Sequence, residues 1–274
     1  MARNATSPEV GALVHFEHVN LRVDDHRPAH LYFIEGLGLT RDPYRMVGVT
    51  NMWVNAGHQQ FHLPIGKPTP LPGEVALAVH DLASVQRRLE RIAPLLKGSA
   101  FSCRAERGTL ATTTPWGHAV RVHSAARFPG NLPQSVPFVT FRVPPGTAEG
   151  IARFYRELLY CPADVAGGRG ARRALVNVGP HQQLRFQETP GARVIDCTNH
   201  VAVYLARYHE VHDALHARKL VTEADAREQF RFQDIVHPES GKLLFRFEHE
   251  MRSLYHPEFH KPLVNRVPVP YPVD

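Results

Sequence analysis

One short phrase occurs twice in the chain, as VNAGHQQFHL at Val54–Leu63 and as VNVGPHQQLRF at Val176–Phe186. The copies differ at a position that bears on chemistry, because the imidazole of His62 is replaced by the guanidinium of Arg185. An imidazole can ligate a divalent metal, whereas a guanidinium stays protonated and grips carboxylates through its planar fork. The exchange marks one copy as able to keep a metal and the other as a structural or anion-binding copy, with Arg142 near Arg185 able to share a carboxylate or pair with Glu188. Few of the other histidines among the 18 in the chain stand out. His209, His212 and His216 recur at helical spacing, but they alternate with apolar Val211 and Leu215 and read as the solvated side of an amphipathic helix. His256 and His260 lie beyond the last expected strand and read as tail residues.

The doublet belongs to a longer repeat. His58 and His181 are 123 residues apart; HVNLRV at His18 parallels FVTFRV at Phe138 with an offset of 120, and LYFIEGLGL at Leu31 parallels RFYRELLYC at Arg153 with an offset of 122. A second pair, VALAVHDLASVQRRLERI from Val75 and VAVYLARYHEVHDALHARKL from Val201, is offset by 126. Each of these begins with strand-like alternation and continues with helical periodicity, placing Leu82, Val85 and Leu89 on one face and Tyr208, Val211 and Leu215 on the equivalent face. The chain is thus four units of strand, helix and short strands. In the first unit the helix is expected near Pro28–Gly36 and the strands around 46–48, 51–55 and 59–63. RFPGNLPQSVP reads as an exposed linker, and AGGRGARR, which precedes a strand, as a hairpin turn.

Four βαβββ units of this kind resemble the vicinal oxygen chelate superfamily, which includes glyoxalase I, bleomycin-resistance proteins and extradiol dioxygenases. The resemblance rests on HFEHVNLRV with YFIEGLGLTRDP, on NHVAVYL from Asn199 and on GKLLFRFEHEMRSLYHP from Gly241, and it spans about residues 13–260. It implies an α+β fold in which the units pair into two tandem cups, with residues 10–128 as one domain, 129–137 as a linker, 138–260 as a second domain and 261–274 as a proline-rich tail. Tandem pairing is the default for neighbouring units. The family also contains an arrangement in which units pair across the repeat, and then His18, His62, His200 and Glu248 would meet.

In this family the metal ligands come from the first and last strands of each unit, so alternation along those strands selects the candidates. Val19, Leu21 and Val23 should face the helices, which turns His18, Asn20 and Arg22 into the cup; likewise Phe61 and Leu63 go to the helix side and Gln60 and His62 join His18. The second unit contributes Glu74 and Arg121. The expected metal set is therefore His18, His62 and Glu74, two imidazoles and a carboxylate suited to Fe, Mn or Zn with positions left open for substrate. The C-terminal half offers Phe138, Arg185, His200 and either Arg246 or Glu248, and since a phenyl ring cannot ligate, His200 and Glu248 form the alternative pair. Asn20, Gln60, Arg121, Arg185 and Tyr204 are expected to line substrate, with Trp53 and Tyr204 favouring a planar one.

The function implied is a metal-dependent glyoxalase or dioxygenase, an oxidoreductase or lyase acting on a small molecule with vicinal oxygens. The other class the family admits is a metal-free protein that sequesters an apolar or aromatic ligand. Length and composition agree with either: 274 residues at 43% hydrophobic content are ordinary globular material. A net charge of +6 and a pI near 9.4 come without a basic stripe or a nucleic-acid signature, so a nucleic-acid partner is not expected. Three scattered cysteines without a CxxC pair, and the lack of a signal peptide or a long apolar run, point to a cytoplasmic chain with no membrane partner, and homodimerisation stays open. Phosphate-cradling, nucleophile-elbow and HExxH motifs are missing.

Overall fold

The structure, a computed structural model, describes residues 11–45, 50–168, 171–225 and 228–265. Four units follow one another as expected. The first comprises β1 (Leu13–Asn20), a short helix α1 (His26–Ala29) running on into a π-helix (His30–Gly36), β2 (Thr40–Arg41), β3 (Asn51–Ala56) and β4 (Gln59–Pro64). The strand expected around 46–48 falls outside the described residues, apart from which β3 and β4 match the alternating segments. The second unit holds β5 (Gly73–Val79), α2 (Leu82–Ile92), β6 (Ser102–Glu106), β7 (Thr109–Thr113) and β8 (Ala119–Ser124). The third holds β9 (Ser135–Val143), α3 (Ala148–Leu158), β10 (Ala163–Ala166), β11 (Arg173–Gly179) and β12 (Gln182–Glu188), and the fourth β13 (His200–Leu205), α4 (Tyr208–His216), β14 (Val221–Asp225), β15 (Gln229–Val236) and β16 (Leu243–Ser253). The AGGRGARR segment links β10 and β11, which pair antiparallel as a hairpin requires.

Two eight-stranded mixed sheets form the expected two cups, but their composition corrects the tandem pairing. One sheet runs β14-β15-β16-β13-β1-β4-β3-β2 and the other β10-β11-β12-β9-β5-β8-β7-β6, so unit one pairs with unit four and unit two with unit three. Alternation dictates which face of a strand is buried; it does not dictate which of several similar edges it meets. Local hydrogen bonds show what takes the edge of β1. Asn199, just before β13, accepts from the Arg22 backbone N–H (3.0 Å) and donates to the Thr69 carbonyl (2.7 Å), pinning the proline-bearing connection from β4 to β5 beside β13 while β5 enters the other sheet.

Apolar faces of both sheets meet the helices in one continuous core. In β1, Val19 is fully buried on the helix side, as are Val75 and Leu77 in β5 and Val201 and Val203 in β13. Val85 and Leu89 of α2 and Val211 and Leu215 of α4 cover them, while Leu82 and Tyr208 are only partly buried. His209 and His216 are exposed, in line with a solvated face, and His212 packs its ring on Phe230 at 5.2 Å. Among the described residues no helix is long and apolar enough to cross a membrane.

The β5–β9 junction that unites units two and three leaves no room for a side chain at Gly73, where a Cβ would sit 1.9 Å from the Thr140 carbonyl oxygen. Gly73→Ala is expected to destabilise the protein by about 3 kcal/mol, the upper end for overpacking, because a backbone atom cannot yield as a side chain would. A urea midpoint unchanged in that variant would contradict it.

A second prediction concerns His118, fully buried just before β8, whose Nδ1 accepts from the Leu71 N–H (3.2 Å) and whose Nε2 donates to the Arg22 carbonyl (3.4 Å). Burial lowers its pKa to about 4. The unfolded chain, with an ordinary histidine near 6.5, therefore takes up the proton first on acidification, so stability falls as pH drops from about 6.5 towards 4, by about 1.4 kcal/mol per unit. His118→Asn should flatten that part of the urea-midpoint profile.

Candidate metal centre

The two central strands of the first sheet, β1 and β13, run antiparallel and bring His18 and His200 face to face, with Nε2 3.2 Å from Nε2. Each imidazole has a carboxylate at its other nitrogen: Glu17 Oε2 lies 3.0 Å from Nδ1 of His18, and Glu248 Oε1 lies 3.2 Å from Nδ1 of His200. An ionised carboxylate can only accept, so at His18 it holds the proton on Nδ1 and leaves a lone pair on Nε2. Burial lowers the His18 pKa to about 4 despite the opposing pull of Glu17, so its ring is neutral near pH 7. His18 thus turns an Nε2 lone pair towards His200 Nε2 at 3.2 Å, a separation at which two imidazoles can share one cation. Carboxylates that orient histidines through Nδ1 are the usual outer shell of a metal site.

His62, on β4 beside β1, completes the group. The ligand atoms of His18, His62 and His200 lie within 4.8 Å of one another. The His62 ring is stacked on Trp53 (3.8 Å, 5° between planes) and held by two amides: Nε2 donates to Asn51 Oδ1 and Nδ1 accepts from Asn20 Nδ2, each at 2.9 Å. Burial, then the neighbouring imidazoles His18 and His200, keep its pKa far below the ordinary histidine value. Asn20 Oδ1 is buried without a hydrogen-bond partner, which shows that this side of the site is not fully satisfied by protein groups. The donor set, three imidazoles and nearby carboxylates, fits a divalent ion of the Zn or Fe type.

The carboxylates reaching the cup come from β1 and β16. Register pairs His200 with Glu248 and Ala202 with Glu250, and Glu250 Oε2 stands 3.6 Å from His200 Nε2. Two arginines hold this acid edge: Arg231 donates to Glu248 (2.9 Å) and to Glu250 (2.7 Å), and Arg252 to Glu250 (2.7 Å) and to Glu17. Arg45, stacked over Trp53 at 4.1 Å, bridges Glu17 (3.3 Å) and Glu258 of the C-terminal segment. Burial alone would raise the Glu250 pKa, but Arg252 and the histidines outweigh it and bring it to about 2; Glu17 is likewise depressed, through His18 and Arg252. Glu250, Glu17, Arg45 and Arg252 were not singled out by sequence. Glu248, Glu250 and Arg252 share one parity of β16, opposite buried Phe247 and Met251, and that signal was present in FEHEMRS. Glu17 carried no such signal: by parity it belongs with Val19, and only the β-bulge between Phe16 and His18 turns it into the cup.

Glu74, expected as the carboxylate ligand beside His18 and His62, is not with them. It lies on β5 in the other sheet, where Arg121 donates to it at 2.9 Å and also to Glu106. Arg185 is also in that second cup, over the Phe138 ring, while the alternative residues His200 and Glu248 lie beside His18 as the cross-paired arrangement requires. Arg246 pairs with Asp234 (2.6 Å) and Asp196 instead of facing the imidazoles. Asn20 and Gln60 are in the first cup, Gln60 accepting from Arg45 (2.8 Å) and donating to Asn55 (2.6 Å). Tyr204 is there too, its hydroxyl accepting from Arg252 at 3.3 Å and its ring 4.9 Å from Phe259. The tail reading of His256 and His260 holds in position, yet the segment is not idle: with Glu258 and Phe259 it roofs a cavity of ≈ 670 Å³ whose walls include His15, Glu17, Arg45, Gln60 and Tyr204. Asn265 continues the roof, bonding Gly57 in both directions at 3.0 and 2.9 Å.

No family model and no curated protein matches this sequence. Solved structures do. Glyoxalase I from Zea mays superposes with a TM-score of 0.62 at 14% identity, covering 90% of this chain and 97% of the maize chain. A proposed dioxygenase from Bacillus subtilis subsp. subtilis str. 168 gives 0.54 at 13% identity over 89% and 86% of the two chains, and cppA protein from Streptococcus pneumoniae TIGR4 gives 0.51 at 9% over 89% and 99%. With four βαβββ units, two eight-stranded cups and likeness to glyoxalase I over nearly its whole length, the chain has the fold of the vicinal oxygen chelate superfamily.

Proposed function

We propose that this protein is a divalent-metal-dependent enzyme of the glyoxalase or dioxygenase type, acting on a small substrate with neighbouring oxygen atoms. The observation that carries the proposal is the convergence of His18 Nε2 and His200 Nε2 at 3.2 Å, each ring with a carboxylate at its Nδ1, and with a third imidazole in reach. His18 and His200 would hold the ion, His62 would join them by giving up the Asn20 amide at its Nδ1 lone pair, and Glu250 would supply the carboxylate once expected of Glu74. A bound ion would act as a Lewis acid towards a bidentate oxygen ligand. The chain's own residues divide the remaining work. Glu17 and Glu248 keep His18 and His200 in the ligating tautomer, Trp53 fixes the plane of His62, and Arg45 and Arg252 place positive charge where anionic oxygens of a substrate would approach. Phe259 and Tyr204 give the adjoining cavity an aromatic wall.

One feature supports a second reading, a metal-free binding protein of the bleomycin-resistance kind. The cavity reaches Glu17 and Gln60 but is not walled by the three imidazoles, so a ligand could be held there without touching an ion. Metal analysis of protein made without a histidine tag separates the two. The enzyme reading expects close to one divalent ion per chain, followed by oxygen uptake with catechols after anaerobic Fe(II) loading, or turnover of methylglyoxal with glutathione. Absence of metal at saturating concentrations would favour the binding reading.

A further inference from the structure

We propose that the second cup, formed by units two and three, is a metal-independent binding site for an aromatic monocarboxylate, with Arg185 gripping the carboxylate and His123, Phe128 and Phe138 forming the floor. The duplication places Arg185 where the first cup has His62, and the surroundings have changed with it. His123 sits on the cup side of β8, between fully buried Val122 and the end of the strand, and is only 7% exposed. Neither of its ring nitrogens has a hydrogen-bond partner among the described residues. A buried imidazole with both nitrogens unmatched is costly unless something else meets it. Burial, followed by Arg127, Arg121 and Arg185, lowers its pKa to about 4, so it offers one donor and one acceptor at neutral pH and adds no charge.

Arg185 supplies the charge. Its guanidinium carbon lies 3.5 Å over the Phe138 ring, only its Nε is engaged, by Gln183 Oε1 at 3.0 Å, and no carboxylate pairs with it among the described residues. Glu188, the acid nearest in sequence, instead accepts from the Ala148 backbone N–H at the start of α3. Arg121 differs, being neutralised by Glu74 and Glu106. Arg104 also pairs with Glu106, so that cluster is balanced in charge and the single positive charge of Arg185 is matched by a monoanion. The partly exposed rings of Phe128 and Phe138, 6.0 Å apart at 67°, flank His123 at 5.4 and 6.0 Å and give an aromatic body two apolar surfaces. Guanidinium fork, planar carboxylate and aromatic walls are matched in geometry.

The test is calorimetric titration of the metal-stripped full chain with benzoate, with benzamide as an uncharged look-alike and with inorganic phosphate. Benzoate should bind at least tenfold more tightly than either. Arg185→Gln should weaken benzoate at least tenfold and leave benzamide unchanged; Arg185→Lys, which keeps the charge but not the fork, should fall between. His200→Ala, in the other cup, should bind benzoate as the parent does. The imidazole NMR signals of His123 should shift on addition of benzoate. Equal affinity for benzoate and benzamide, tighter binding of phosphate, or benzoate binding indifferent to both Arg185 variants would overturn the proposal.

Discussion

Replacing His200 by alanine is expected to abolish stoichiometric binding of a divalent ion, lowering affinity by at least about 100-fold, and His18→Ala should do the same. Both side chains lie on the cup face of strands whose other face makes the core, so the fold should survive. Glu17→Gln leaves every ligand in place but removes the carboxylate that holds Nδ1–H of His18, and a loss of about 10–100-fold is expected for such an outer partner. Glu74→Ala, in the other sheet, should change nothing. Chelator competition followed by elemental analysis measures all four. Metal content that survived in His18→Ala and His200→Ala alike would remove the proposed centre altogether.

The second large effect is on stability. Arg252 is about 7% exposed and is shared by Glu17 and Glu250, themselves nearly inaccessible to water. Arg252→Met strips a buried pair of acids of their main counter-charge, and the expected cost is about 3–5 kcal/mol. Adding Glu17→Gln and Glu250→Gln should recover part of it, because the uncompensated charges go with them. Arg246→Met, at an ion pair about one-third exposed, should cost under about 1 kcal/mol. Urea unfolding gives the comparison, and a mild Arg252→Met would mean that Arg45 and Arg231 suffice to hold the acids.

What could be read in the sequence was local. The repeat, the four units, the buried parity of each first strand and the cup-facing positions of His18, His62 and His200 all follow from periodicity, which depends on residues a few positions apart. Partner choice between units does not: β1 meets β13 across 182 residues through edges that any of the four first strands could offer. That is why Glu74 was selected as third ligand, for it is the correct kind of residue on the correct strand of the neighbouring unit. In β16 alternation places Arg246, Glu248 and Glu250 alike on one face, and only the parallel register with β13, which sets Glu248 against His200 and Glu250 against Ala202, decides which of them reach the imidazoles. Glu17 lay beyond any counting rule because a bulge moved it.

Pairing unit one with unit four nests one complete sheet inside the other along the chain. During synthesis, β5 and β9 can meet as soon as the middle of the polypeptide has emerged, while β1 must wait for β13. At about 5–20 residues per second that delay is roughly 10–40 s, in which an eight-residue strand has β4 on one side and an open edge on the other. Chains ending near residue 195, halted behind an unstructured linker long enough to clear the ribosome, should show residues 73–188 resisting protease while residues 13–64 are cut; equal protection of both segments would speak against this order. The imidazole cluster, drawn from the first strand of the chain and from one of the last to be made, would then be the final part of the molecule to assemble, and an outer-sheet mutation would be felt more as a lowered yield of native protein from the ribosome than as a weakened finished one.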